Sequence, residues 1–142
     1  MSNILDVKFS AKSENESLSR VIVASFAAKL DPTLDELSDI KMAVSEAVTN
    51  SIVHGYEEDE SKFVYLRCEL DDRTIKVVVE DRGKGIEDIE QAMQPMYTSK
   101  PELERAGMGF SFMESFMDSL EVVSIKGEGT KVVMTKTIEL PK

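Results

Sequence analysis

Glu46-Ala-Val-Thr-Asn50-Ser-Ile-Val-His54-Gly55 is the stretch around which this sequence is organised. It closes a helix that opens near Thr33, where Thr33 and Glu36 have the spacing of a capping box. Leu37, Ile40, Val44, Val48 and Ile52 recur at helical spacing and predict a core-facing stripe. Glu46 and Asn50 stand one turn apart on another face, among Met42, Ala43, Ala47 and Val53, whose small or apolar side chains argue against a solvated surface. A carboxylate beside a carboxamide suits two tasks: Glu46 to accept a proton, and the Asn50 oxygen to hold a hard cation such as Mg²⁺. Taken alone, the segment is better read as a surface i, i+4 polar pair.

Composition narrows the setting. At 142 residues the chain fits one domain, with 42% hydrophobic and 31% charged residues as in ordinary soluble proteins. No apolar run approaches the ~20 residues of a membrane span, and the N-terminus has no signal-peptide pattern, so a cytoplasmic protein without a membrane partner is expected. The single Cys68 excludes an internal disulfide. With one histidine and one cysteine, the usual Cys/His zinc sites and a Cys-His catalytic pair are excluded as well. A net charge of −10 argues against direct nucleic-acid binding.

Read in order, Val7–Ser10 predicts a short strand. Ser13 and Glu16 have capping-box spacing for a helix reaching about Leu30, stopped by Asp31-Pro32. Leu18, Val21, Ile22, Ser25 and Phe26 are its expected inward stripe; Glu16, Arg20, Val23 and Ala27 lie opposite, as a solvated face or a docking surface with Arg20 as anchor. Gly55 is placed to cap the central helix. Lys62–Leu70 and Thr74–Glu80 predict a hairpin around Asp71-Asp72-Arg73. A short helix over Glu87–Met93 is followed by a loop from Gln94 to Arg105 with Pro95, Pro101 and Lys100. A helix from Phe110 to about Ser119, with Phe112, Met113, Phe116 and Met117 as core contacts, precedes strands at about Glu121–Ile125 and Thr130–Ile138. Helices on one face of a mixed, mostly antiparallel sheet make an α/β two-layer sandwich.

Three further segments carry glycine or acid where a ligand would want them. Asp81-Arg-Gly83-Lys-Gly85 ends a hydrophobic strand: its glycines admit close approach of a flat ligand, and its carboxylate can accept from an exocyclic amine. Gly107-Met108-Gly109 stands before the predicted last helix, where free N–H groups suit phosphate oxygens. Gly127-Glu-Gly129-Thr130 lies between strands. Singly, these are also a turn, a helix start and a hairpin.

The ordered combination, Glu-x-x-x-Asn on a helix, Asp-x-Gly-x-Gly after a strand, a long loop, Gly-x-Gly and finally Gly-Thr, resembles the GHKL (Bergerat-fold) ATP-binding module over nearly the whole chain. Within it, Val44–Gly55 and Tyr97–Phe110 are most similar to the small anti-sigma serine kinases of the sporulation, sigma-F type. The resemblance implies Glu46 as general base and Asn50 as Mg²⁺ ligand. It implies Asp81 as reader of the adenine amine, Gly83 and Gly85 beneath the base, and Thr130 in support. Thr98, Lys100, Gly107, Met108, Gly109 and Phe110 fall in the nucleotide-binding lid and phosphate turn, with Arg105 as the lid cation at the terminal phosphate and Lys100 a second candidate. ATP or ADP with Mg²⁺, a sigma factor, an anti-anti-sigma protein phosphorylated on serine, and a homodimer are the implied ligands and partners. Two alternatives stand beside this: a stress-response (sigma-B type) anti-sigma kinase, and an ATP-binding interaction module without kinase activity.

Overall fold

The computed structural model describes residues 2–86 and 101–140, with side chains in the last helix described from residue 109 onward. Five strands form one sheet in the order β1-β2-β3-β5-β4: β1 (Asn3–Ser10), β2 (Phe63–Asp71), β3 (Thr74–Asp81), β4 (Ser119–Ile125) and β5 (Gly129–Thr137). Every pairing is antiparallel among the described residues, where a mixed sheet was expected. β2 leads directly into β3, and β4 into β5, without the crossover helix that parallel strands would need. The β2–β3 turn is the expected one: Asp71 pairs with Thr74, and Asp72 takes the left-handed conformation (φ 55°) that Asp tolerates.

Three helices cover one face: α1 (Glu14–Ala27), α2 (Leu34–Thr49) and α3 (Pro101–Phe116), with α2 packed between the other two. The capping box that opens α2 is formed, Glu36 N–H donating to Thr33 Oγ1 (3.1 Å) and Thr33 N–H to Glu36 Oε1 (2.9 Å). These bonds hold the Glu36 carboxyl below its usual range. Ile40, Val44, Val48 and Ile52 are buried as the stripe requires, and Leu37 packs at its edge. They meet Val64, Leu66, Ile75, Val77, Val79 and Met134 from the sheet. No described helix is long and apolar enough to cross a membrane.

The structure corrects three expectations about the helices. Ser13 makes no side-chain cap on α1; the Glu16 carboxylate instead takes the Ser45 hydroxyl of α2 and faces Arg20 Nε at 3.1 Å. The α1 stripe is rotated: Val23, Phe26 and Ala27 are buried while Leu18 and Val21 are exposed, because α1 carries apolar residues on both faces and α2 selects one. Its end is as read, a 3₁₀ turn at Ala28–Leu30 closed by Asp31. The last helix begins at Pro101, not Phe110. Proline fits a first helical turn. The predicted helix over 87–93 and most of the 94–105 loop lie outside the described residues.

Candidate functional site

The central helix does not end as an α-helix. From Asn50 to Gly55 it widens into a π-turn, with Tyr56 N–H reaching Ser51 O (2.9 Å). Such turns add a residue and re-aim side chains, and they concentrate at functional positions. Here the turn buries Asn50 and Ser51 at 9% and 3% exposure, with Glu46 one turn earlier and half-buried. Gly55 ends the π-turn without a left-handed φ, so its part is not the expected helix cap. A β-carbon there would stand 2.7 Å from the Asp81 carboxyl. Glycine at 55 lets the helix end rest on that acid.

Asp81 is 3% exposed at the end of β3. Its carboxylate accepts from Gly83 N–H (3.0 Å), from the Ser51 hydroxyl and from Thr130 N–H. Burial nonetheless pushes its pKa up, against these bonds. A carboxylate offers about four acceptor positions, so one is left for a donor from a ligand. The acid-bearing turn is pinned to the helix end: Lys84 N–H donates to Gly55 O (3.0 Å), and a β-carbon at Gly83 would overlap that same carbonyl at 2.0 Å. Gly85 adopts φ 75° and lies against the Ile125 carbonyl, leaving no room for a side chain. Arg82, the basic residue inside this turn, lies over the Tyr65 ring (4.3 Å to the centroid), and its N–H donates to the Tyr56 hydroxyl (2.7 Å).

On the helix side, Gly109 sits over the Glu46/Asn50 pair. A β-carbon on it would stand 3.0 Å from Asn50 Nδ2 and 3.2 Å from Glu46 Oε2. The structure therefore brings Glu46, Asn50 and Gly109 together in one place, with Phe110 buried beside them, and Asp81, Gly83, Gly85 and Thr130 together in another joined to it through the π-turn. Gly107 and Met108 lie inside α3 and not at a helix start; they and Arg105 belong to the half of α3 whose side chains lie outside the described residues, as do Thr98 and Lys100 altogether. Arg20 is held by Glu16 and by a bond to Ser17 Oγ (3.2 Å), on the α1 side of α2.

Sequence reasoning missed Ser51, Tyr56 and Ser124. Tyr56 is buried, donates to Phe63 O and accepts from Arg82 N–H, tying the loop before β2 to the acid-bearing turn. Its place just after Gly55 was the one available signal. A trough of about 620 Å³ on the uncovered face of the sheet, lined by Tyr65, Arg67, Lys76, Glu80 and Lys131 among others, shares no residue with the candidate site.

The residues fit Mg²⁺ in a particular way. Asn50 Nδ2 is buried and without a hydrogen-bond partner among the described residues, so this carboxamide itself has hydrogen-bonding capacity to spare. Turning the amide presents its oxygen to a hard cation. Among the described residues no three His, Cys, Asp or Glu side chains gather to hold a metal. An ion here would take one protein ligand and complete its shell with phosphate and water, the habit of Mg²⁺.

Residues 9–136 match the sequence profile of the histidine kinase-like ATPase domain. The chain belongs to that family. It is 60% identical over 136 residues to an anti-sigma F factor of Clostridium perfringens, covering 96% of this chain and 97% of the relative. Against an anti-sigma F factor of Oceanobacillus iheyensis it is 54% identical over 142 residues, covering 100% of this chain and 97% of that one. It thus also belongs with the anti-sigma F factors, as the GHKL resemblance implied. The fold is shared with the crystal structure of the RsbU and RsbW domains of Rv1364c from Mycobacterium tuberculosis, at TM-score 0.69 and 19% identity, covering 96% of this chain and 32% of that longer one.

Proposed function

We propose that this chain, as a single cytoplasmic domain, is an anti-sigma factor of the sporulation sigma-F type that also acts as a Mg²⁺- and ATP-dependent protein-serine kinase on its anti-anti-sigma antagonist. The relatives' name supports the anti-sigma part, and the family supports nucleotide binding. The observation that carries the kinase part is the convergence of Glu46 with Asn50 beneath Gly109. A module that only bound nucleotide would need the amide and Asp81 but not a carboxylate in the base position.

Phosphoryl transfer asks the protein mainly for positioning and for stabilisation of charge. Mg²⁺·ATP, when bound, supplies the phosphoryl group and neutralises part of its charge. Asp81 would accept from the adenine amine, with Gly83 and Gly85 giving the ring close backbone approach and Thr130 in support. Asn50 would hold the metal. Glu46 would orient the incoming serine hydroxyl and take its proton. Gly107 to Phe110 would lie along the phosphates, with Thr98 and Lys100 in the lid and Arg105 as the cation that steadies developing negative charge. Arg20, braced on α1, would contact the sigma factor in a homodimeric assembly.

Glu46→Gln separates these roles. The variant is expected to bind ATP with wild-type affinity by calorimetry and to lose phosphorylation by at least the ~10²-fold that a positioned base supplies. Equal loss of binding and transfer would assign Glu46 a purely structural part.

A further inference from the structure

β2 and β3 are joined through two residues, Asp72 and Arg73, between the paired Asp71 and Thr74. The pair that closes such a two-residue turn exchanges both of its backbone hydrogen bonds, and bonded and non-bonded pairs then alternate along an antiparallel ladder. From Asp71 and Thr74 onward, the bonded pairs are therefore Glu69 with Lys76, Arg67 with Val78 and Tyr65 with Glu80. The next in register would be Phe63 with Arg82, Arg82 N–H donating to Phe63 O. That bond is not made directly. The Tyr56 hydroxyl stands between the two groups, donating to Phe63 O and accepting from Arg82 N–H (2.7 Å). A carbonyl only accepts and an N–H only donates, so the phenol's single hydrogen belongs to Phe63. Burial raises the Tyr56 pKa above the ordinary 10.0, which keeps that hydrogen in place. Tyr56 also follows Gly55, whose carbonyl takes Lys84 N–H (3.0 Å). Two adjacent residues at the end of the π-turn thus grip alternate amides of the acid-bearing turn, Arg82 through a side chain and Lys84 through the backbone. The far flank of that turn is held by Gly127 N–H on Lys84 O (2.6 Å) and by Ile86 N–H on Ser124 Oγ (2.7 Å).

We propose that Tyr56 is a positioning residue of the nucleotide site: its hydroxyl is a wedge that holds the β2–β3 ladder open at Phe63 and Arg82, so that the turn from Asp81 to Gly85 leaves β2 and is delivered to the end of the central helix. The inference rests on the nucleotide reading above and deepens it. With the wedge in place, the first peptide after Asp81 lies one oxygen atom farther from β2 than a ladder bond allows, and the turn reaches the Gly55 carbonyl. Without it Arg82 N–H meets Phe63 O, the ladder gains a bonded pair, and the turn is drawn towards β2 and away from Gly55. Tyr56 acts through the turn and not on the ligand. A site that depends on position loses affinity when such support is withdrawn.

Tyr56→Phe removes the oxygen and keeps the ring. The test measures, on the whole chain, Kd for ATP with Mg²⁺ by calorimetry, the melting temperature without ligand, and hydrogen exchange at the Arg82 and Lys84 amides by NMR. ATP binding should weaken roughly tenfold, the size of one hydrogen bond. The Arg82 amide should stay protected, because it now bonds Phe63 O, while the Lys84 amide exchanges roughly tenfold faster or more, its carbonyl partner out of reach. The melting temperature should stay close to wild type, one bond replacing another. A phenol with a merely structural part would lower the melting temperature and leave the ATP Kd unchanged, and that result would overturn the inference. Loss of protection at Arg82 would overturn it too, as would a Lys84 amide exchanging as in the wild type. So would a variant that does not fold, since the phenol would then hold the fold itself and not the turn. If the wild type binds no ATP, the nucleotide reading fails, and the two amides alone still decide the wedge.

Discussion

A carboxylate buried as deeply as Asp81 works against the fold that holds it. Burial raises its pKa above the ordinary 3.8, so the folded chain holds this proton more tightly than the unfolded chain. Below the ordinary value both states are protonated and the group costs nothing. As pH rises from there through the raised folded pKa the penalty grows, and above that it is constant. Asp81→Asn is therefore expected to raise the melting temperature of the ligand-free protein at neutral pH, with no gain near pH 3, while weakening ATP roughly 10- to 100-fold by removing a charge-assisted acceptor. Thermal melts across pH together with calorimetry check both halves; a variant less stable than wild type at neutral pH would contradict the first. At this scale the grouping of Asp81, Gly83 and Gly85 was legible only through the order of the motifs along the chain, because an acid and two glycines at a strand end also make an ordinary turn. Ser124 and Ser51 were not, since a serine reveals its bonding only once its neighbours across strands are known.

Elements position the chemistry through close contacts between helices. α2 carries Glu46 and Asn50, and α3 presses Gly109 onto them at distances a β-carbon would have to share with both side chains. In the interior of α3, Gly109→Ala should gain about 1 kcal/mol of helix propensity. It should also push the carboxylate and the amide aside by a few tenths of an ångström. The expected outcome is an unchanged or higher melting temperature with phosphoryl transfer slowed roughly tenfold or more, misplacement being costly where catalysis is positional. Full transfer activity would show that the Gly109 contact is incidental. The core stripe of α2 was readable because its apolar period is regular and its cap is formed by local residues, Thr33 and Glu36. The phase of α1 was not, because both of its faces are apolar and only packing against α2 decides between them. The π-turn has no sequence signal of its own; it follows from seating Gly55 on Asp81, a contact between distant parts of the chain.

For the whole molecule, the helix layer and the antiparallel sheet place Glu46, Asn50 and Asp81 along one side, and among the described residues the opposite sheet face is uncovered. Strand order escaped the local pattern because β5 inserts between β3 and β4, a pairing fixed by the sheet and not by any one hairpin. The chain carries a net charge of −10, so on the proposed reading a phosphate-rich ligand would be held against the overall field and would depend on local groups such as Asn50. Those groups bear on one claim above the others, that the site transfers phosphate to serine. The direct measurement incubates the purified protein with Mg²⁺, γ-labelled ATP and an anti-anti-sigma protein, and identifies the labelled amino acid. The account predicts acid-stable, alkali-labile label on a serine of the partner, lost when Mg²⁺ is chelated. ATP bound with no label transferred to serine would contradict it.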